Sequence, residues 1–289
     1  MTQVTGIHRL TLAVPELEPV GVYYREVVGL RVLAEGEARW DLQCRASRHC
    51  DFSLVARQGA PAISSIALSV GSQKELPNLI SAAVNAGGEV LREPAPSSDY
   101  PGEFSAAVVD PDGNHIELIY LEPTSNECAD DVLTSGPQRI GHVVLWTPQI
   151  ELMETFFGQL GLHVTDRTAM GMSFLRCNTD HHSVAVVRSK GQTGLQHVAF
   201  DVGSIDDVMR EKGRVSSVGV ECVWGVGRHG PGNNVFSYYQ DPAGNIFEFY
   251  GDMEKFTDNE EVGEPVFWGP EHRGDLWGVA GPAPQSFRP

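Results

Sequence analysis

The sequence has few of the features that mark secreted, membrane-spanning or nucleic-acid-binding proteins. Only five of its 289 residues are cysteines, and none forms a Cys-x-x-Cys pair, so reduced thiols are expected. It contains no apolar run of about 18 residues, and its N-terminus lacks the basic start and apolar stretch of a signal peptide. Positive charge is scarce as well. The formal net charge of −17 disfavours nucleic acid and anionic membrane partners. These absences predict a cytoplasmic protein.

What the sequence does contain is an internal repeat. GIHRLTLAV, at the start of the chain, resembles GHVVLWT at 141–147, and an amphipathic helical pattern follows each segment. DPDGNHIELIYLE at 110–122 resembles DPAGNIFEFYGDM at 241–253, and both read as a hairpin turn followed by a strand. The chain is therefore interpreted as two copies of one unit.

Each copy divides again into two modules. Strands near 6–14, 63–70, 140–147 and 195–202 each precede a helical pattern and then further strands. This order predicts an α+β fold of two tandem domains, each built from a pair of βαβββ modules. The predicted boundaries are 1–124 for the first domain and 138–252 for the second. The aromatic stretch 253–289 is expected to form a strap packed on the second domain.

Three residues with metal-binding side chains occupy equivalent strand positions in the second copy. His142 and His197 lie near the starts of their strands, and Glu248 lies in the last strand, NIFEFYG. Two imidazoles and one carboxylate suit a divalent metal and leave coordination positions open, as in non-heme iron(II) oxygenases. A lone histidine in a strand is more often a hydrogen-bonded core residue, but three at repeat-equivalent positions weaken that alternative.

The first copy serves as an internal control. Its corresponding residues are His8, approximately Ser65, and Glu117, so one imidazole is replaced by a poor ligand for iron. The sequence therefore predicts a vestigial site that binds no catalytic metal.

The chain resembles the two-domain extradiol ring-cleavage dioxygenases of the vicinal oxygen chelate superfamily, which include catechol 2,3-dioxygenase and 2,3-dihydroxybiphenyl 1,2-dioxygenase. The resemblance covers essentially the whole length, and its most specific segment is GRHGPGNNVFSYYQDPAGNIFEFYGDM at 227–253. It implies the vicinal oxygen chelate fold, with His142, His197 and Glu248 as iron(II) ligands. It also implies a catecholic substrate, O2 as co-substrate, a 2-hydroxymuconate semialdehyde-type product and a homo-oligomer.

The same resemblance implies roles for residues around the metal. His182 matches the acid–base group. Its neighbour His181 is the alternative, and adjacent strand residues would point to opposite faces. His229 matches a histidine beside the substrate ring, and Tyr238 matches a tyrosine that donates a hydrogen bond to a substrate oxygen.

Substrate and metal are less well defined. Trp224 stands near the place where relatives that select an acidic side chain carry an arginine, which favours a neutral or aromatic substituent. Arg273 in the strap could still supply a cation. Manganese(II) is an alternative to iron(II). Two other functions remain as alternatives. One is a glyoxalase-like metal-dependent isomerase, which needs four protein ligands. The other is a non-catalytic small-molecule binding protein, which would need neither His182 nor Tyr238 beside a complete ligand set.

Overall fold

Two β-sheets, one from each half of the chain, dominate the structure, and two α-helices accompany each sheet. The computed structural model describes residues 3–123, 136–257, 263–272 and 274–287. No helix within these ranges is both long and apolar enough to cross a membrane.

The first half contains eight strands and two α-helices. Helix α1 continues as a π-helical turn, Tyr24–Val28, and a 3-10 turn, Gln73–Glu75, precedes α2. The elements are β1 (Val4–Val14), α1 (Leu17–Tyr23), β2 (Arg31–Glu35), β3 (Arg39–Gln43), β4 (Phe52–Ala56), β5 (Ala62–Val70), α2 (Leu76–Asn85), β6 (Glu89–Pro96), β7 (Glu103–Val109) and β8 (His115–Leu121).

The second half repeats this order and adds one short strand. Its elements are β9 (Arg139–Thr147), α3 (Ile150–Gln159), β10 (His163–Thr168), β11 (Met172–Arg176), β12 (Val184–Arg188), β13 (Gly194–Gly203), α4 (Ile205–Ser217), β14 (Trp224–Arg228), β15 (Val235–Gln240), β16 (Ile246–Gly251) and β17 (Val266–Trp268).

Each half is a pair of βαβββ modules, which confirms the predicted α+β class and module order. The sheet orders are β2-β3-β4-β1-β5-β8-β7-β6 and β14-β15-β16-β13-β9-β12-β11-β10-β17. The first strands of paired modules lie side by side and antiparallel, as β1–β5 and β9–β13. Within a module, the first strand runs parallel to the last. Residues 124–135 lie outside the described residues, so the exact domain boundaries stay a prediction.

The two halves share one hydrophobic core. Tyr24 of the first half lies 6.3 Å from Phe247 of the second, measured between ring centroids, and its hydroxyl donates to Asp241 Oδ2 at 3.2 Å. Phe52 and Phe200 meet in the same way, with centroids 6.0 Å apart. The second sheet is therefore held against the first by buried aromatic side chains.

Segments after β16 pack on the second sheet. Strand β17 pairs in parallel with β10, and the backbone N–H of Leu276 donates to Arg228 O at 2.7 Å. The buried Asp275 carboxylate accepts backbone N–H groups of Arg228, Trp277 and Ala280 at 2.8–3.0 Å. These bonds fix the strap beside β14.

Strand register shows which residues of the two halves are equivalent. In the second sheet, one residue of β13, Ala199, pairs with both His142 and Glu248. The corresponding residue of β5 pairs with Arg9 and with Glu117. Arg9 therefore occupies the place of His142 in the first half.

The predicted equivalence of His8 with His142 is wrong by one residue. The pairing of β1 with β5 skips a position between Ile7 and Arg9, and His8 lies at that irregularity. Strand β9 skips Gly141 at the same point of its pairing with β13, so Gly141 is the counterpart of His8 and His142 is the counterpart of Arg9.

Arg9 is held in a buried ion pair. Its two terminal nitrogens each lie 2.9 Å from a different Glu103 oxygen, and His8 Nε2 lies 3.0 Å from Glu103 Oε1. The guanidinium also covers the Tyr100 ring at 3.6 Å. Burial acts to raise the pKa of Glu103, but hydrogen bonds from His8 and Arg9 outweigh it and lower that pKa to about 2. The protein's own cation thus stands where the second half has a candidate metal ligand.

Replacing Glu103 with leucine should lower the free energy of unfolding by about 3–5 kcal/mol, because the Arg9 guanidinium is left buried without a counter-charge. Urea unfolding at pH 7 measures this loss. The double variant Arg9→Leu/Glu103→Leu should recover most of it, and a double variant as unstable as the single one would contradict the ion-pair explanation. Because the folded pKa of Glu103 lies below its ordinary 4.5, its ionised form stabilises the fold above that pH. The difference between wild type and Glu103→Leu should therefore shrink as the pH falls from 4.5 towards 2.

Candidate metal centre and active site

Three neighbouring strands bring His142, His197 and Glu248 together. His142 lies on β9, His197 on β13 and Glu248 on β16, and all three are buried. Their ligand atoms all lie within 4.8 Å of one another. Among the described residues, this is the single group of three or more histidine, cysteine or acidic side chains with that geometry.

The spacing and bonding of these atoms fit a divalent cation. Nε2 of His142 and Nε2 of His197 each lie 3.2 Å from the same oxygen, Glu248 Oε2. Neighbouring ligands around one ion are separated by this distance when metal–ligand bonds are about 2.1 Å. His197 Nε2 is buried and has no hydrogen-bond partner. A metal ion would satisfy that nitrogen.

The electrostatics of the group favour the same interpretation. The Glu248 side chain has no exposed surface. Burial acts to raise its pKa, but the neighbouring His142 and His197 side chains outweigh burial, and the pKa lies well below its ordinary value. Burial lowers the pKa of His197 to about 4, so its ring is neutral at physiological pH. A charged carboxylate beside the neutral ring of His197 suits a divalent cation.

Neighbouring side chains orient two of these groups. His197 Nδ1 donates to Gln196 Oε1, which leaves Nε2 as the coordinating nitrogen. Asn234 Nδ2 donates to Glu248 Oε1 at 3.1 Å, which fixes the carboxylate. Such supports determine the orientation and basicity of metal ligands.

Gly141 leaves room for Tyr250 to pack beside the predicted ligand His142. A Cβ atom on Gly141 would overlap the Tyr250 hydroxyl, 1.7 Å away. Tyr250 packs against the His142 ring, with centroids 5.0 Å apart. Only glycine therefore lets the strand and this tyrosine approach closely enough to pack the ligand.

His182 lies beside the three predicted ligands. Its ring centroid is 4.3 Å from that of His142 and 5.0 Å from that of Phe174, and its side chain is buried. Burial and nearby imidazoles lower its pKa well below the ordinary value, so the ring is neutral and able to accept a proton.

His181 does not point away from His182, as alternating strand faces would require. Both residues precede β12, and their Nδ1 atoms lie 3.0 Å apart. The two side chains nevertheless line different cavities, so His181 is separated from the predicted ligands as expected.

His229 and Tyr238 form a second pair at the site. His229 Nδ1 donates to the carbonyl of Gly274 in the strap at 2.7 Å, so its Nε2 accepts from the Tyr238 hydroxyl at 2.9 Å. Trp224 stacks on Tyr238 with centroids 5.3 Å apart. Arg273 lies outside the described residues, so its predicted contact with substrate stays a prediction.

A cavity of about 230 Å³ joins these groups. His142, His197, His182, His229 and Tyr238 lie on its wall. Much of the remaining wall is apolar, contributed by Val144, Met170, Met172, Phe174, Val187, Trp268, Leu276, Ala283 and Phe287. The cavity thus combines an apolar interior with a small polar cluster, as small-molecule sites do.

Two orienting residues, Gln196 and Asn234, carry no role in the sequence-based prediction. Gln196 directly precedes a predicted ligand, and Asn234 lies in the loop between the glycine-rich GRHG segment and Tyr238. Their closeness in sequence to the predicted site residues was the signal that could have identified them. Their hydrogen-bond partners could not be predicted, because these depend on the folded structure.

Comparison with known proteins gives related folds and sequences. Residues 139–249 match the Glyoxalase/Bleomycin resistance protein/Dioxygenase superfamily. Metapyrocatechase 2 of Cupriavidus necator is 29% identical over 176 residues, which cover 54% of this chain and only 55% of that protein. 1,2-Dihydroxynaphthalene dioxygenase of Sphingobium xenophagum is 23% identical over 270 residues, covering 86% and 89% of the two chains.

Solved structures extend the likeness to the whole chain. The Mn(II)-bound glyoxalase from Novosphingobium aromaticivorans superposes with a TM-score of 0.88 at 29% identity. The superposition covers 100% of this chain and 95% of that one.

His142→Ala, His197→Ala and Glu248→Ala should each abolish retention of the single divalent ion expected per chain, since three protein ligands leave no redundancy. Elemental analysis after dialysis against a weak chelator measures the metal, and circular dichroism checks that each variant is folded. His8→Ala and Glu117→Ala are the matched controls in the first half and should keep the ion. Loss of metal in either control, or retention in all three site variants, would contradict the assignment.

Proposed function

We propose that this chain, a member of the Glyoxalase/Bleomycin resistance protein/Dioxygenase superfamily, catalyses extradiol cleavage of a catechol-type diol by O2 at a mononuclear iron(II) centre. Manganese(II) is the alternative metal. Both oxygen atoms of O2 enter the product, a ring-opened 2-hydroxymuconate semialdehyde-type compound.

One observation carries this proposal. Two of the predicted ligands, His142 and His197, line a single cavity together with the buried His182 and the Tyr238–His229 pair. A glyoxalase-like isomerase needs a fourth protein ligand, whereas the ligand-type group found among the described residues has three members, His142, His197 and Glu248. A simple binding protein needs no neutral histidine beside the ligands.

The metal and the protein residues would have separate tasks. His142, His197 and Glu248 would hold an iron(II) ion, which would supply Lewis acidity and a redox centre for the reaction of a catechol with O2. Tyr238 lies with its hydroxyl 2.9 Å from His229 Nε2 and can turn that hydroxyl towards a substrate oxygen. His229, held by the Gly274 carbonyl, keeps Tyr238 in place. Fixed donors lower the cost of organising the site during the reaction.

His182 is the proposed acid–base group. It lies on the cavity wall, against the ring of His142, and is neutral because burial lowers its pKa. A neutral imidazole can take a proton from a substrate hydroxyl and return it later in the reaction.

The cavity wall supports a substrate with a neutral or aromatic substituent. Phe174, Met172 and Phe287 offer apolar surface, and Trp224 stacks behind Tyr238. Arg188 and His272 also line the cavity, so a polar group is accommodated at those two places. A homo-oligomer and a cytoplasmic location accompany the proposal by resemblance.

The enzyme reconstituted anaerobically with iron(II) should consume one O2 per catechol and form a yellow ring-cleaved product. An oxygen electrode and a visible spectrum follow the two signals together, and reconstitution with manganese(II) compares the metals. An α-ketoaldehyde–thiol adduct is the control substrate for the isomerase reaction. Turnover of that adduct without oxygen uptake on any catechol would overturn the proposal.

His182→Phe should keep its metal and bind catechol anaerobically, while ring cleavage slows by about 10²–10⁴, the usual contribution of general acid–base assistance. Tyr238→Phe should show a smaller loss, because it removes one hydrogen bond and keeps the ring. Single-turnover cleavage is measured on samples of known iron content. Normal turnover by fully loaded His182→Phe would contradict the acid–base role.

A further inference from the structure

A chain of hydrogen bonds leads away from His182 on the side opposite the cavity. His182 Nδ1 lies 3.0 Å from His181 Nδ1, and His181 Nε2 lies 3.1 Å from Asp166 Oδ2. All three side chains are buried. Asp166 and His181 contact neither the predicted ligands nor Tyr238, and nothing in the proposed chemistry uses them directly.

The chemistry of the three groups assigns the protons. With Asp166 Oδ2 as the acceptor, His181 Nε2 carries the hydrogen. The lone pair of the His181 ring is then on Nδ1, which accepts from Nδ1–H of His182. His182 is left with its lone pair on Nε2, the ring nitrogen that His181 does not engage.

A fourth residue holds Asp166 in position. The indole Nε1–H of Trp268 donates to the same oxygen, Asp166 Oδ2, at 2.6 Å. Two donors converge on that oxygen, so an acceptor is required there. Trp268 belongs to β17, so its hydrogen bond connects the strap to the chain of hydrogen bonds from His182 to Asp166.

Asp166 and His181, the two members of this hydrogen-bond chain beyond His182, border a second cavity. This cavity has a volume of about 270 Å³, and Asp166, His181 and His163 lie on its wall. His182 lines the first cavity, so the two histidines form part of the partition between the cavities.

We propose that Asp166 and His181 are positioning residues that hold His182 in the tautomer with a free Nε2, ready to accept the substrate proton. The inference rests on the proposed function for its catalytic meaning. The tautomer itself is a property of the folded chain and can be measured without turnover.

Two-bond 1H–15N correlation spectra of histidine-labelled, zinc-substituted protein report the tautomer directly. The His182 signals are identified by their absence in His182→Phe. Wild type should show protonated Nδ1 and unprotonated Nε2. Asp166→Leu and His181→Phe should each shift His182 towards a mixture, because the acceptor for Nδ1–H is lost or no longer fixed.

Asp166→Asn is the conservative control. Its amide oxygen can take the place of Oδ2 and accept from both Trp268 and His181, so the His182 tautomer should stay as in wild type. His163→Phe is the matched control in the second cavity, since His163 lines that cavity without contacting His182. It should change neither the spectrum nor turnover.

With iron(II), Asp166→Leu and His181→Phe should lower kcat by about 10–100-fold, the usual effect of removing an orienting partner. Metal content and KM for catechol should stay near wild type, and Asp166→Asn should restore most of kcat. If Asp166→Leu does not fold, His181→Phe tests the same expected changes in the His182 tautomer and in kcat.

An unchanged His182 tautomer in His181→Phe would overturn the inference, and so would a tautomer in Asp166→Asn as mixed as in the leucine variant. A wild type that shows the expected tautomer but cleaves no catechol would instead overturn the proposed function. The two failures are therefore distinguishable.

Discussion

The second half of the chain is organised around a buried negative charge. The Glu248 side chain is fully enclosed, and its neighbours are two imidazoles and one amide. An isolated carboxylate in such a place is costly unless a cation or several donors compensate it. The first half buries a different carboxylate, Glu103, and Arg9, at the place of His142, pairs with it. The two buried carboxylates therefore have different partners, a guanidinium of the chain in the first half and the candidate metal ligands His142 and His197 in the second.

Strand order explains why such a charge can be surrounded at all. β16, β13 and β9 are neighbours, so three residues distant in sequence project from adjacent strands. β15 lies on the other side of β16 and contributes Tyr238, directly opposite Glu248. The polar residues thus come from inner strands of the sheet. The groups that orient them, such as Asn234, come from the ends of these strands and the loops between them.

The sequence was sufficient for features that depend on local periodicity and repetition. The module order follows from alternating strands and amphipathic helices, and the approach of His142, His197 and Glu248 follows from equivalent strand positions. The equivalence of His8 failed because the short similar segments can be aligned one residue apart, and only strand pairing makes Arg9 the counterpart of His142. The link between Asp166 and His181 could not be predicted, since it joins side chains from a strand and a loop only after folding.

The position of Gly274 and its neighbours late in the sequence affects the order in which the cavity wall forms during synthesis. The Gly274 carbonyl accepts the hydrogen bond that orients His229, and Leu276, Ala283 and Phe287 wall the same cavity. During synthesis the ribosome releases these residues after both sheets, since the chain emerges from its N-terminus. The sheets can form early, but the cavity gains its last wall only after the strands of the second sheet have left the ribosome. A nascent chain would therefore have the strands of the candidate metal centre in place before it could enclose a small molecule.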